Sequence, residues 1–190
     1  MELVLSWDLF IMIFFAIIVA YSFIVGKTQT IKIVLCAYLA ILFADGMGNL
    51  VEFHLRGVSP MVDLLLKYIG EDVFVLGKVL LFVFTTVFLT VRGGFAINMD
   101  SDRGFVNIVM TFVFAVLSAG LIVSTILMFI SGYSLIAGGP GLEASTIAEI
   151  RNQSQLVGLM VDHYNWWFSM PAFTFLIFSL LKGGGSALNE

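Results

Sequence analysis

The chain has 190 residues, 60% of them hydrophobic and 12% charged, with a net charge of −4. Soluble domains are about 45–50% apolar and about 25% charged, so a chain this short carries more apolar surface than one core could hide from water. That excludes a soluble fold and leaves lipid as the second solvent, while nine scattered Lys and Arg residues exclude a basic face for nucleic acid.

The first apolar run, 9–25, contains no charge, Gly or Pro. About 20 apolar residues span a bilayer, because a helix rises about 1.5 Å per residue and the hydrocarbon layer is about 30 Å thick. Glu2 and Asp8 stand before this run where a signal peptide would carry cations, so it reads as an uncleaved membrane helix. The second run, 33–51, is interrupted by Asp45, Gly46 and Gly48. Between it and the third run, Ser59, Pro60 and Gly70 bound a short helix that would set Met61, Leu64, Leu65 and Tyr68 against the interface. The third run, 73–91, carries Lys78 as its one charge, and the fourth, 105–130, carries none.

Gly138, Gly139, Pro140 and Gly141 then mark a loop, and Thr146 with Glu149 makes a capping-box pattern. An amphipathic helix is expected over 147–170. Arg151, Gln155, Gly158, Asp162, Asn165 and Ser169 recur at helical spacing as one polar stripe, opposite Ile150, Val157, Val161, Tyr164 and Phe168. Pro171 is expected to end or kink that helix. The apolar tail, 171–181, precedes Lys182. Residues 164–181 admit a fifth span, with Trp166 and Trp167 in an aromatic belt, but a surface helix with a tail dipping into lipid is preferred. The expected fold is therefore an all-α integral membrane protein, one domain over 1–190. It has four transmembrane helices, a C-terminal amphipathic helix and an apolar tail that crosses or dips.

Lys and Arg in short loops set orientation. Lys27 and Lys32 fall between the first two spans, and Arg92 and Arg103 between the third and fourth, whereas Arg56, Lys67 and Arg151 are spread over longer segments on the other side. The basic loops are placed in the cytoplasm and the N-terminus outside. Asp8, Asp45 and Lys78 then share a depth in the outer leaflet. A lone charge at mid-membrane costs about 2.5–3.5 kcal/mol on insertion scales, and opposite charges at one depth offset part of it. An intramembrane cluster of Asp8, Asp45 and Lys78 is the leading functional site, with an Asp45–Lys78 pair facing the bundle interior and Gly46 and Gly48 allowing close packing or a bend.

In the fourth span, Ala115 with Ala119 and Gly120 with Ser124 are small-xxx-small spacings, and Ser118 lies on the same face. These residues suit helix packing, within one subunit or between subunits. Cys36 is the only cysteine, and His54 and His163 are the only histidines. Neither histidine has metal-ligand spacing, and no catalytic motif or cofactor fingerprint is present. No enzyme activity, metal or cofactor is expected.

The layout resembles the colicin V production protein (CvpA) family of bacterial inner-membrane proteins. The resemblance rests on Trp7-Asp8 at the outer mouth of the first span, Gly26-Lys27 at its end, Asp102-Arg103 opening the fourth, and the amphipathic segment 151–169. Gly104 is followed by no glycine until Gly120, and Thr30 and Ile31 stand where an acidic residue is frequent in the family. The resemblance implies an envelope protein linked to toxin production or export, biofilm formation or stress resistance, and it supplies no catalytic residue. Two functions stay open. One is a homo-oligomeric channel or transporter, with the polar stripe of Arg151, Gln155, Asp162 and Asn165 lining a vestibule. The other is a non-conducting scaffold or regulator of a secretion or protease partner. Lipid is the expected environment in both, and nucleic acid is not an expected partner.

Overall fold

The structure is a computed structural model that describes residues 6–55, 59, 72–94, 104–136 and 147–183. Six helices account for nearly all of them: α1 (Trp7–Leu55), α2 (Asp72–Arg92), α3 (Phe105–Ile130), α4 (Ile147–Gln153), α5 (Gln155–Asp162) and α6 (Tyr164–Gly183). Three of these, α1, α2 and α3, are long and apolar enough to cross a membrane.

Helix α1 is two arms joined at Gly26, whose φ of 80° and ψ of 172° are non-helical. That backbone region is essentially restricted to glycine. The chain reverses there. In the first arm, Ile11 packs with Val123 and Leu127 of α3, and Phe23 meets Phe112 at 6.2 Å. In the second arm, Lys27 starts over the ring of Phe178, which touches Phe114, and Asp45 ends against Ser134 and Ile136 beyond the C-terminus of α3. One arm therefore runs antiparallel to α3 and the other parallel to it. Thr30 Oγ1 donates to the Gly26 carbonyl at 2.9 Å and lies 3.2 Å from that of Ser22, serving the acceptors the break strands.

This overturns the expected loop between the first two spans. The connection is Gly26 alone, and Lys27 to Lys32 are already helical. Lys27 is buried at 5% exposure with its ammonium 4.9 Å from the Phe178 ring centre, a cation–π placement that a solvated loop lysine would not adopt. The third and fourth expected spans, 73–91 and 105–130, coincide with α2 and α3 within one residue.

The core forms where the two arms of α1 close on α3. Val34, Ala37, Ala40, Ile41 and Ala44 meet Phe82, Leu121 and Phe129 on one side. Ile11, Val123, Leu127, Ile147, Val157 and Val161 meet on the other. The small side chains on the second arm let the backbones approach, the main packing device where lipid is as apolar as the helices. Helix α2 instead turns Leu76, Leu80, Val83, Phe84, Val87 and Phe88 outward.

The expected amphipathic helix 147–170 is three helices. It breaks at Ser154, extended at φ −135° and ψ 119°, and again at His163. Pro171 neither ends nor interrupts α6, which continues through it to Gly183 and buries it. Buried transmembrane-type helices tolerate proline because neighbours help satisfy the freed carbonyl. Helix α6 runs from Tyr164, beside Tyr133 at 6.2 Å, to Phe178, beside Phe114 and Lys27. It lies lengthwise along the bundle with Pro171 and Phe178 buried and Trp166, Phe173, Leu176, Ile177 and Leu180 turned outward, so 164–170 is continuous with the apolar tail.

Candidate functional site

Asp45 is fully buried, and every oxygen of its carboxylate is engaged. Lys78 Nζ approaches Oδ1 at 3.4 Å, while Ser134 Oγ and the Ile136 backbone N–H donate to Oδ2 at 3.0 and 2.8 Å. Lys78 Nζ also donates to Asn49 Oδ1 at 2.8 Å, and Asn49 Nδ2 donates to Ser134 Oγ at 2.8 Å. The four side chains form a closed ring joining the second arm of α1, α2 and the segment after α3. Asp45 and Asn49 are four residues apart and so share a helix face.

Gly48 is part of the same construction. A Cβ there would fall 2.5 Å from Lys78 Cε and 2.6 Å from Cγ, so the lysine stem lies across the glycine backbone. Gly46 contributes differently, by contact with Ile136 Cδ1 at 3.8 Å. The bend in α1 lies at Gly26 and not at either of these.

Asp8 is not a member of this cluster, contrary to the expected trio. Its Oδ1 accepts from Ser154 Oγ at 2.6 Å and from the Leu156 N–H at 3.0 Å. Ser154 in turn caps α5 by accepting from Val157 N at 3.1 Å. Asp8 thus holds the start of α5, where a carboxylate suits the exposed N–H groups and the helix dipole. The two aspartates of α1 use one pattern: each accepts from a serine hydroxyl and from the N–H two residues later, at Ser134 and Ile136 and at Ser154 and Leu156.

The polar stripe does not persist as one face. Arg151 Nη2 contacts Asp162 Oδ1 at 2.9 Å. Eleven residues along a straight helix separate two Cα atoms by about 16 Å, so the pair meets only because α4 folds back on α5 at Ser154. Arg151 also lies over Gly158, whose added Cβ would be 3.8 Å from its Cγ. Gln155 and Asn165 remain exposed on separate helices. The pair itself is half exposed and adds at most about 1 kcal/mol.

The small residues of α3 are used within the subunit. Ala115, Ser118, Ala119 and Ser124 are buried. Ser118 donates to the Ala115 carbonyl at 2.9 Å, and Ser124 to the Met160 carbonyl at 3.2 Å. Gly120 receives the Trp167 indole, whose Cε3 would lie 1.9 Å from an added Cβ. Trp7 is partly exposed and edge-on to Phe10 at 6.1 Å. His54 and His163 each pair with the carbonyl one turn earlier, Leu50 and Leu159. Among the described residues no group of three His, Cys, Asp or Glu side chains could hold a metal. Asp102, Arg103, Thr146 and the short helix expected over 59–70 lie outside the described residues, apart from Ser59.

Sequence reasoning paired Asp45 with Lys78 but missed Asn49 and Ser134. Asn49 carried a signal, since it lies one turn from Asp45 on the face that receives Lys78. Ser134 carried none, being 89 residues away in a turn. Compared with protein-family models, curated proteins and solved structures, the chain gives no match in any of the three.

Proposed function

We propose that this chain is a multi-pass protein of the bacterial inner membrane, similar to the CvpA family, that acts as a scaffold or regulator for a secretion or protease partner. The supporting observation is the closure of the Asp45 ring. Its charged atoms face one another, and the two clusters packed along α3 are apolar. A conduit needs polar groups left free to exchange with a passing ion. Here the Asp45 carboxylate and two of the Lys78 ammonium hydrogens are committed to joining helices, which gives a rigid platform where the hydrophobic effect does not drive helices together.

In this reading the two arms of α1, α2, α3 and α6 make five crossings. Lys27, Lys32 and Arg92 gather at the cytoplasmic end, and the N-terminus, Asp8 and the Asp45 ring stand at the outer end. A second reading, a homo-oligomeric channel or transporter, draws on the outward apolar face of α2, which leaves room for further copies.

Reconstitution separates the two readings. Purified protein in liposomes is expected to show no ion or dye flux above empty vesicles, while crosslinking in the native membrane captures a defined envelope partner. Flux abolished by Asp45→Asn, together with an oligomer in detergent, would replace the scaffold reading with the channel.

A further inference from the structure

Beside the Asp45 ring lies a groove of about 580 Å³ between the end of the second α1 arm and the start of α2. Met47, Val51, Leu55, Phe74 and Gly77 line it, and among the described residues Lys78 is the charged one on its wall. Sites for small molecules have this composition and size: about 300–1,000 Å³, mainly apolar, with few polar groups to fix orientation. The groove's edge residues Met47, Val51, Leu55 and Val73 are exposed on the outside of the bundle, so it opens sideways toward lipid.

We propose that this groove is a binding site for one diacyl phospholipid of the surrounding bilayer, with an acyl chain along the groove and an ester carbonyl on Lys78. Three observations select that occupant. First, Lys78 is 8% exposed, and among the described residues its ammonium hydrogens go to Asp45 and Asn49. An ammonium has three hydrogens, so one is left for an acceptor. Second, Asp45 already balances the lysine charge. The remaining donor suits a neutral carbonyl rather than a second anion.

Third, the depth fits. Lys78 lies six residues into α2, about 9 Å along the axis from Asp72. Each interfacial layer is about 5–8 Å thick outside a hydrocarbon core of about 30 Å. With 73–91 as the run that crosses the hydrocarbon, the Lys78 backbone lies about 7–8 Å inside its boundary, and helical side chains lean toward the N-terminus, so the lysine stem reaches back toward the headgroups. Glycerol ester carbonyls occupy that boundary.

Native mass spectrometry of the full chain, exchanged from detergent into defined lipid, tests this. Phosphatidylcholine with ester-linked chains is compared with its diether analogue, which lacks the carbonyls but keeps the headgroup and chains. One ester lipid per chain should be retained about tenfold more tightly than the ether lipid, given the strength of a charge-assisted hydrogen bond. Gly77→Leu places a side chain where a Cβ meets open space. It should abolish retention while leaving the thermal melt within a few degrees, and Gly77→Ala should weaken retention only partly. Equal retention of ester and ether lipids, or unchanged retention by a folded Gly77→Leu protein, overturns the proposal. Displacement of the phospholipid by an isoprenoid quinone at equal concentration also overturns it.

Discussion

Removing one member of the Asp45 ring isolates the energetics of a charge placed in lipid. In Lys78→Met the carboxylate, 0% exposed, keeps Ser134 and the Ile136 N–H but loses its counter-ion. Breaking a buried pair this way costs about 3–5 kcal/mol, because the surviving charge stays desolvated. Asp45→Asn fails for another reason. All three of its partners are donors: Lys78 on Oδ1, Ser134 and the Ile136 N–H on Oδ2. One side of the amide must then point its own N–H groups at a donor. A buried polar group left unmatched costs about 1–3 kcal/mol, more when a charge is involved. In the double variant Asp45→Asn/Lys78→Met, the amide oxygen can keep Ser134 and Ile136 while its nitrogen faces an apolar methionine. The double loss should therefore fall short of the summed single losses by about 2 kcal/mol or more, well beyond the additivity error of about 0.3–0.5 kcal/mol. Reversible unfolding in mixed micelles, followed by circular dichroism, measures all four corners of the cycle. Single losses under 1 kcal/mol, or strict additivity, would show that the ring does not hold the helices and would refute the argument.

Other outcomes follow from single contacts. Gly26→Ala should destabilise by about 1–3 kcal/mol through backbone strain alone, since no atom lies within 4 Å of the added Cβ; the same melt reads it. Gly120→Ala pushes on a rigid indole at 1.9 Å. It should shift Trp fluorescence to the red and lower stability by about 1–3 kcal/mol, with partial recovery in Gly120→Ala/Trp167→Leu. Asp8→Ala should free the start of α5, read as faster limited proteolysis after α3, whereas Asp8→Asn keeps an acceptor for Ser154 and Leu156 and should change the rate little. Arg151→Ala should alter stability by less than about 1 kcal/mol, and less still at high salt, as for any half-exposed pair.

Much of the fold was legible because lipid makes a one-dimensional demand. A span needs a run of apolar residues of fixed length, and 73–91 and 105–130 met it within a residue of α2 and α3. The pairing of Asp45 with Lys78 followed from the same demand, since two opposite charges at one depth on sequential helices relieve each other's desolvation. The errors came where neighbours decided the backbone. A glycine between two apolar runs looks the same whether it opens a loop or makes a one-residue reversal. Lys27 looked solvated because nothing nearby in sequence announces Phe178.

The chain alone determined the solvent, the long helices and the level of the stranded charges, since each depends on local composition and a fixed rise per residue. Tertiary structure decided that Ser134 and Asn49 complete the ring, that Asp8 serves α5 instead of Lys78, that the polar stripe folds onto itself at Ser154, and that α6 continues unbroken through Pro171. Those outcomes depend on which groups meet across dozens of residues. Hydrogen bonds and close backbone approaches between distant segments leave no periodic trace in the sequence that makes them.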